Sequence, residues 1–276
     1  MLPYSAFLGV FFFLLGVIFG SFLNVVIYRT GSGVGYQGRS KCLSCGRALT
    51  AAMLVPLLSF LFQRGRCVYC GAKLSLQYPL VEVGAGALFL MVWWVTNFDP
   101  LATSIKDTIL FSVEVLIWLV LLLIVVYDVK HKIIPDRFSL AFALLAGILA
   151  LLRLYWVPAT PHFVPLFGVY TPLWLDLLAG PLLALPFALL WLFSGGRAMG
   201  LGDAKLAWGL GWFLGFSGGV SAIILAFWTA FFPSIILLFL PRKHFTMKSE
   251  IPFAPFLILG ALLVYVWGID ILQWSF

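Results

Sequence analysis

The chain has 276 residues, 63% of them hydrophobic and only 10% charged. No water-soluble domain of this length needs that much apolar surface, which excludes a soluble enzyme or a nucleic-acid-binding module. The net charge of +7 is therefore read as an orientation signal across a membrane, not as affinity for nucleic acid.

Several apolar runs approach or exceed the ~20 residues that cross a bilayer. They predict an all-α polytopic membrane protein with about eight transmembrane helices. The first span covers Ser5 to Ile27. Its start lacks a basic leading region and its apolar run is too long for a cleavable signal peptide. Asn24 lies near its end, either bonded to a neighbouring helix or at the interface.

Residues 30–77 form the one sizeable polar region. It holds all four cysteines, as Cys42-Leu43-Ser44-Cys45-Gly46 and Cys67-Val68-Tyr69-Cys70-Gly71. Two C-x2-C pairs can bring four thiolates into a tetrahedron suited to a structural zinc ion. Two disulfides, or four unrelated thiols, are the alternative. Basic residues around the cysteines point to a cytoplasmic side, where disulfides rarely persist. Between the pairs, Met53 to Phe62 is apolar but short. It is either an interfacial helix or the packing core of the cysteine module.

A second span follows Pro79, with Glu82 at its start. The third, from Thr108 to Tyr127, delivers Asp128, and Pro135 then breaks the chain. The fourth covers Phe138 to Trp156. Val157 to Thr171 carries no Lys or Arg and reads as an external loop. The fifth covers Pro172 to Phe193. Gly200-Leu201-Gly202-Asp203-Ala204-Lys205 then opens a short glycine-rich sixth span that ends at Phe216. Two glycines before an acid permit a sharp turn and a close approach. Asp203 is either an ordinary helix cap or a functional acid at the edge of hydrocarbon. The seventh span covers Val220 to Leu240 and the eighth Pro252 to Ile271. No internal repeat stands out.

With eight spans, the loops after spans 1, 3, 5 and 7 share one side. Of the 17 basic residues, only Lys106 and Arg153 then fall on the other. The positive-inside rule puts the cysteine module, Asp128 and Asp203 at the cytoplasmic face. Asp128 ends one span there and Asp203 begins another, so the two carboxylates can lie at one depth. Close carboxylates share a proton, so that one serves as base toward water and the other as acid toward a peptide carbonyl. Asp136, eight residues after Asp128, is a competing partner. Lys130, His131 and Lys132 read as surface charge. Lys205 either pairs with a carboxylate or snorkels to headgroups.

The chain resembles the bacterial type IV prepilin peptidases, bifunctional leader peptidase/N-methyltransferases of the GxGD aspartic protease class. The resemblance rests on Gly20-Ser21-Phe22-Leu23-Asn24-Val25-Val26-Ile27-Tyr28-Arg29, the paired CxxC knuckles, Tyr78-Pro79-Leu80-Val81-Glu82, the segment Asp128 to Asp136 ending in Ile-Pro-Asp, and Gly200 to Leu206. It implies catalytic aspartates at Asp128 and Asp203. It implies cleavage of a basic leader from prepilins or pseudopilins just after a Gly, and methylation of the new N-terminus with S-adenosylmethionine as donor. The implied organisation is a first span in 1–29, a four-cysteine zinc module tied to methylation in 30–77, and a seven-span peptidase region in 78–276. Membrane lipid is the implied surround, nucleic acid is no partner, and the implied address is the bacterial inner membrane with the active site facing the cytoplasm. Two positions depart from the family: Gln77 stands where Arg usually precedes Tyr-Pro, and Leu54-Val55-Pro56 replaces a usual Asn-Ile-Pro. Two other classes compete. An ion-coupled transporter with a regulatory zinc module would place its acids near mid-membrane, whereas these lie at span ends. A thiol-disulfide enzyme would need free CxxC pairs.

Overall fold

The computed structural model describes residues 4–32, 35, 37–156, 162–164, 169–171, 173–197, 199–239 and 252–273. Among these residues eight helices follow one another: α1 (Tyr4–Arg29), α2 (Leu58–Phe62), α3 (Gln77–Thr96), α4 (Ile105–His131), α5 (Asp136–Trp156), α6 (Leu173–Ser194), α7 (Leu201–Phe239) and α8 (Ala254–Trp267). A hairpin of two three-residue strands, β1 (His162–Val164) and β2 (Val169–Thr171), lies within the expected external loop. Among the described residues six helices are long and apolar enough to cross a membrane, and the chain is a multi-pass membrane protein. The chain packs as two compact units, Met1–Asp99 and Pro100–Phe276.

In the first unit, α1 and α3 pack closely because glycines line the contact. A Cβ on Gly16 would come within 2.5 Å of the Ala85 carbonyl oxygen, and one on Gly20 within 2.7 Å of Glu82 Cα. Small residues four apart let helix backbones approach in lipid, where packing replaces the hydrophobic drive. Asn24 crosses the same seam and donates from Nδ2 to the Tyr78 carbonyl at 3.0 Å.

The two cysteine turns are copies of each other, which corrects the expectation of no repeat. Cys42 N–H donates to Arg47 O and Gly46 N–H to Cys42 O; Cys67 N–H donates to Ala72 O and Gly71 N–H to Cys67 O. The flanking bridges Lys41–Ala48 and Arg66–Lys73 keep the same offset. Gly46 and Gly71 have φ of +72° and +71°, the left-handed turn that is costly for a non-glycine residue. The repeat is one of backbone conformation, carried in sequence by little beyond Cys-x-x-Cys-Gly.

In the second unit, α7 is longer than any single span requires, at 39 residues. It breaks at Gly215, whose φ and ψ are +75° and 179°. A Cβ on Gly219 would lie 3.4 Å from Gly211 Cα. In a straight helix those residues would be about 12 Å apart along the axis. The chain therefore doubles back, and the two arms (201–214 and 216–239) correspond to the sixth and seventh expected spans. Asp176 of α6 caps the second arm, accepting from Phe216 N–H at 2.9 Å. α8 is the short apolar helix, 14 residues against the twenty expected. Arg242, Lys243 and Lys248, in the loop after the seventh expected span, lie outside the described residues.

At one end of this unit four helices share a polar network. Glu114 of α4 accepts from Arg153 of α5 at 2.8 Å and from the Tyr265 hydroxyl of α8 at 2.5 Å. Arg153 also donates to the Phe213 carbonyl of α7 at 2.7 Å. Glu114 lies 14 residues before Asp128, about 21 Å along α4. The network thus braces the end of the unit far from Asp128.

Candidate active site and metal centre

Asp128 and Asp203 are brought into one region of the second unit. Asp128 lies in the last turn of α4. The helix ends just beyond it because Lys132 adopts a left-handed conformation (φ +55°), with its N–H donating back to the Asp128 carbonyl at 2.7 Å. Pro135 then prevents the helix from resuming before Asp136. Asp203 lies in the first turn of α7, its N–H donating to the Gly200 carbonyl at 3.2 Å. The carboxylates are near enough for the charge of Asp128 to act on Asp203.

The connection α4–α5 packs directly on the start of α7. A Cβ on Gly202 would sit 3.1 Å from Ile134, so glycine at this position permits close approach. The sharp turn is made earlier, by Gly195 and Gly196 with φ of +61° and +77°. Gly202 thus serves packing, and the preceding pair serves the turn. Across the same contact, Lys205 Nζ meets Asp136 Oδ1 at 2.5 Å. Lys205 therefore pairs with a carboxylate, and the partner is Asp136. The side chain of Asp136 is 81% exposed, whereas Asp128 is 5% exposed and Asp203 half-buried. Lys130, His131 and Lys132 are all exposed.

Asp128 Oδ2 is buried and makes no hydrogen bond among the described residues. Buried carboxylate oxygens are ordinarily paired, so an open one marks a place for a further donor. The backbone N–H of Ala254, at the first residue of α8, is directed at this carboxylate. Sequence reasoning missed that contribution. Its one signal was the pair Pro252 and Pro255, which marks a helix start. What the arrangement offers chemically is a buried carboxylate with an unpaired oxygen in the same region as a half-buried one.

In the first unit the four expected thiols converge. The sulfurs of Cys42, Cys45, Cys67 and Cys70 all lie within 4.8 Å of one another, and those of Cys42 and Cys70 are 3.9 Å apart. A tetrahedron with arms of about 2.3 Å has edges of about 3.8 Å, so this donor set fits a zinc-like ion. The N–H groups of Cys45 and Ser44 point at the Cys42 sulfur and hold that thiol down to about 6. At Cys70 the Ala72 N–H works the same way. Loss of solvent and the neighbouring sulfurs outweigh it and push the thiol up to about 11. Crowded thiols that share hydrogen bonds in this way are chemically suited to a cation.

Glu82 is a buried carboxylate of this unit, 7% exposed. It accepts from the Leu57 N–H at 2.7 Å, and the Ser21 hydroxyl is a further partner.

A family model described as the bacterial peptidase A24 N-terminal domain matches residues 14–96, and one described as the type IV leader peptidase family matches residues 115–241. A Klebsiella pneumoniae protein named prepilin leader peptidase/N-methyltransferase is 32% identical over 229 residues, covering 79% of this chain and 90% of the relative. Proteins of the same name from Dichelobacter nodosus and Legionella pneumophila are each 29% identical, over 96% and 99% of this chain and 94% and 95% of theirs. No solved structure shows a significant match. With that identity over nearly the whole of a relative, the chain belongs to the type IV leader peptidase family.

Proposed function

We propose that this chain is a membrane aspartic endopeptidase that removes the basic leader of type IV prepilins or pseudopilins, and that it also N-methylates the new N-terminus. The observation that carries the reading is that Asp128 and Asp203 lie at neighbouring helix ends within reach of each other's charge, one buried with an open oxygen and the other half-buried. One carboxylate, ionised, takes a proton from a water molecule as its oxygen attacks the scissile carbonyl carbon. The other, protonated, donates to the carbonyl oxygen. The resulting tetrahedral diol collapses, the C–N bond breaks, and the leaving amine takes up a proton. No covalent intermediate is needed. Asp136 and Lys205 position the connection and the helix that carry the pair.

The substrate class follows from membrane physics. A basic leader stays on the cytoplasmic side while the apolar helix after it enters the bilayer. The scissile bond then lies at the cytoplasmic interface. That is the depth that the charge asymmetry assigns to both aspartates. The same asymmetry supports insertion in the bacterial inner membrane with the active site facing the cytoplasm.

Residues 30–77 serve as a structural zinc module, with Cys42, Cys45, Cys67 and Cys70 as ligands, and residues 78–276 carry the peptidase spans. The ion would supply rigidity to the paired turns. S-adenosylmethionine is the methyl donor that the relatives' name supports, and no residue set is assigned to it. Mass spectrometry of a prepilin co-expressed with the protein tests both activities. Leader loss with a methyl increment is expected; an intact leader under matched expression overturns the reading.

A further inference from the structure

The apolar segment between the cysteine turns is neither buried nor spanning. It begins with a short turn at Ala51–Leu54 and continues as α2, and neither element has a buried residue. It therefore is not the packing core of the cysteine module. Leu58, Leu61 and Phe62 are 52%, 70% and 80% exposed, and Leu54 and Val55 are exposed before them. Positions 58, 61 and 62 lie one helical turn apart and form one face. Ser59 and Phe60 turn the other way, and Phe60 covers Gly65.

The depth of this segment is set by Glu82. α3 has 20 residues and so rises about 30 Å, the thickness of the hydrocarbon core. Glu82 lies five residues into it, about 7 Å below its start. The Leu57 N–H is bonded to that carboxylate at 2.7 Å, so the residue just before α2 is held below the start of the span. Leu57 is held there in a backbone conformation that side-chain-bearing residues rarely adopt, with φ +59°. A buried acid and a strained residue together fix where α2 begins. Amphipathic helices in the interface bury their apolar face about 5–10 Å into the headgroup and acyl boundary, the same depth.

The start of α3 is exposed and apolar as well. Leu76, Leu80 and Val83 at the start of α3 are 66%, 68% and 44% exposed. Arg64 and Arg66 lie just after α2, and Lys73 follows the second cysteine pair; all three are exposed cations of the kind that phosphate headgroups attract.

We propose that residues 53–62 form an interfacial foot on the phospholipid surface, tethered through Leu57 to Glu82, which holds the cysteine turns at headgroup depth. The occupant of its apolar face is lipid. This inference needs only the membrane-spanning assignment of α1 and α3 and is independent of the catalytic pair.

The test uses the full chain reconstituted in vesicles of phosphatidylethanolamine and phosphatidylglycerol. A photoreactive benzophenone amino acid replaces Leu58, Leu61 or Phe62 in turn, with exposed Ser44 as the control position. On illumination, the three foot positions should gain the mass of a phospholipid at several-fold higher yield than position 44. A nitroxide amino acid at the same positions should show an oxygen-to-nickel accessibility ratio several-fold above that at position 44. Exclusive adducts to a co-reconstituted prepilin or to a second copy of the chain, or ratios equal to that of position 44, would overturn the proposal. Leader cleavage, measured in the same vesicles, reports on the catalytic reading separately. Replacement of Glu82 by Leu should release the foot and lower the lipid yield at Phe62, whereas Glu82→Gln keeps an acceptor for the Leu57 N–H and should retain it.

Discussion

Lys205 and Asp136 meet at 2.5 Å, joining the first turns of α7 to the first residue of α5. The contact ties the two segments that deliver Asp203 and Asp128. It also gives Asp136 a partner other than the two acids, an ammonium in open solvent. Exposed pairs of this kind contribute only about 0–1 kcal/mol. Asp136→Asn and Lys205→Gln should therefore keep the protein folded and retain substantial prepilin cleavage. Prepilin processing in membranes at matched expression checks this; a dead Asp136→Asn beside a fully active Asp203→Asn would show that the wrong pair had been chosen.

For the proposed catalytic pair, Asn replacement preserves size and most hydrogen bonding while removing the ionisable group. Asp128→Asn and Asp203→Asn should each abolish leader cleavage, with losses of roughly 10³-fold or more. The double variant should be little worse than either single one, because residues acting as a unit lose their effect together. Zinc content and membrane insertion should be unchanged. Kinetics of cleavage on a purified prepilin distinguish this from additive losses.

The sulfur cluster predicts about one zinc per chain with Zn–S distances of about 2.3 Å, read by elemental analysis and X-ray absorption. Two disulfides on peptide mapping with no metal would contradict it. Cys42→Ser should reduce methylation, or the folding of residues 30–77, more than it alters cleavage chemistry. A folded Cys42→Ser protein that methylates but does not cleave would be the opposite outcome.

Glu114 and Arg153 form an ion pair with unequal exposure, 9% and 37% for their side chains. Arg153→Met leaves Glu114 buried without its cation and should cost about 3 kcal/mol, the low end for broken buried pairs because Arg153 is partly wet. Adding Glu114→Gln should recover part of that loss. Thermal unfolding of the two variants in detergent measures the difference, and equal stability of Arg153→Met and the wild type would reject a bracing role.

Gly260 on α8 faces the second arm of α7, where an added Cβ would run into the Ala222 carbonyl oxygen. Alanine favours a helix over glycine by about 1 kcal/mol. The clash is with backbone, which cannot swing aside, and overpacking of this kind costs about 1–3 kcal/mol. Gly260→Ala should therefore destabilise the protein, as a lowered unfolding temperature. The control is Gly35→Ala, where the added Cβ meets no atom within 4 Å.

Hydropathy alone determined the class of this protein, because a helix is the one open-ended element whose backbone satisfies itself in lipid. The four cysteines were legible as a ligand set for a related reason: two short turns fix each pair locally, and only one further contact is needed to join them. Asp128 and Asp203 were legible as acids at span ends, since charge near hydrocarbon is costly enough to stand out. That they lie within reach of each other's charge was not legible, because it depends on how α4, α7 and α8 pack. Packing in lipid is set by glycines such as Gly202, Gly211 and Gly260, which carry no hydrophobic period. The pairing of Asp136 with Lys205, the reversal at Gly215 and the aim of the Ala254 amide were likewise decided by tertiary contacts. The same holds for Met53 to Phe62, whose composition fitted a core as well as an interface. In the fold none of its side chains is buried, while the Leu57 N–H is bonded to buried Glu82.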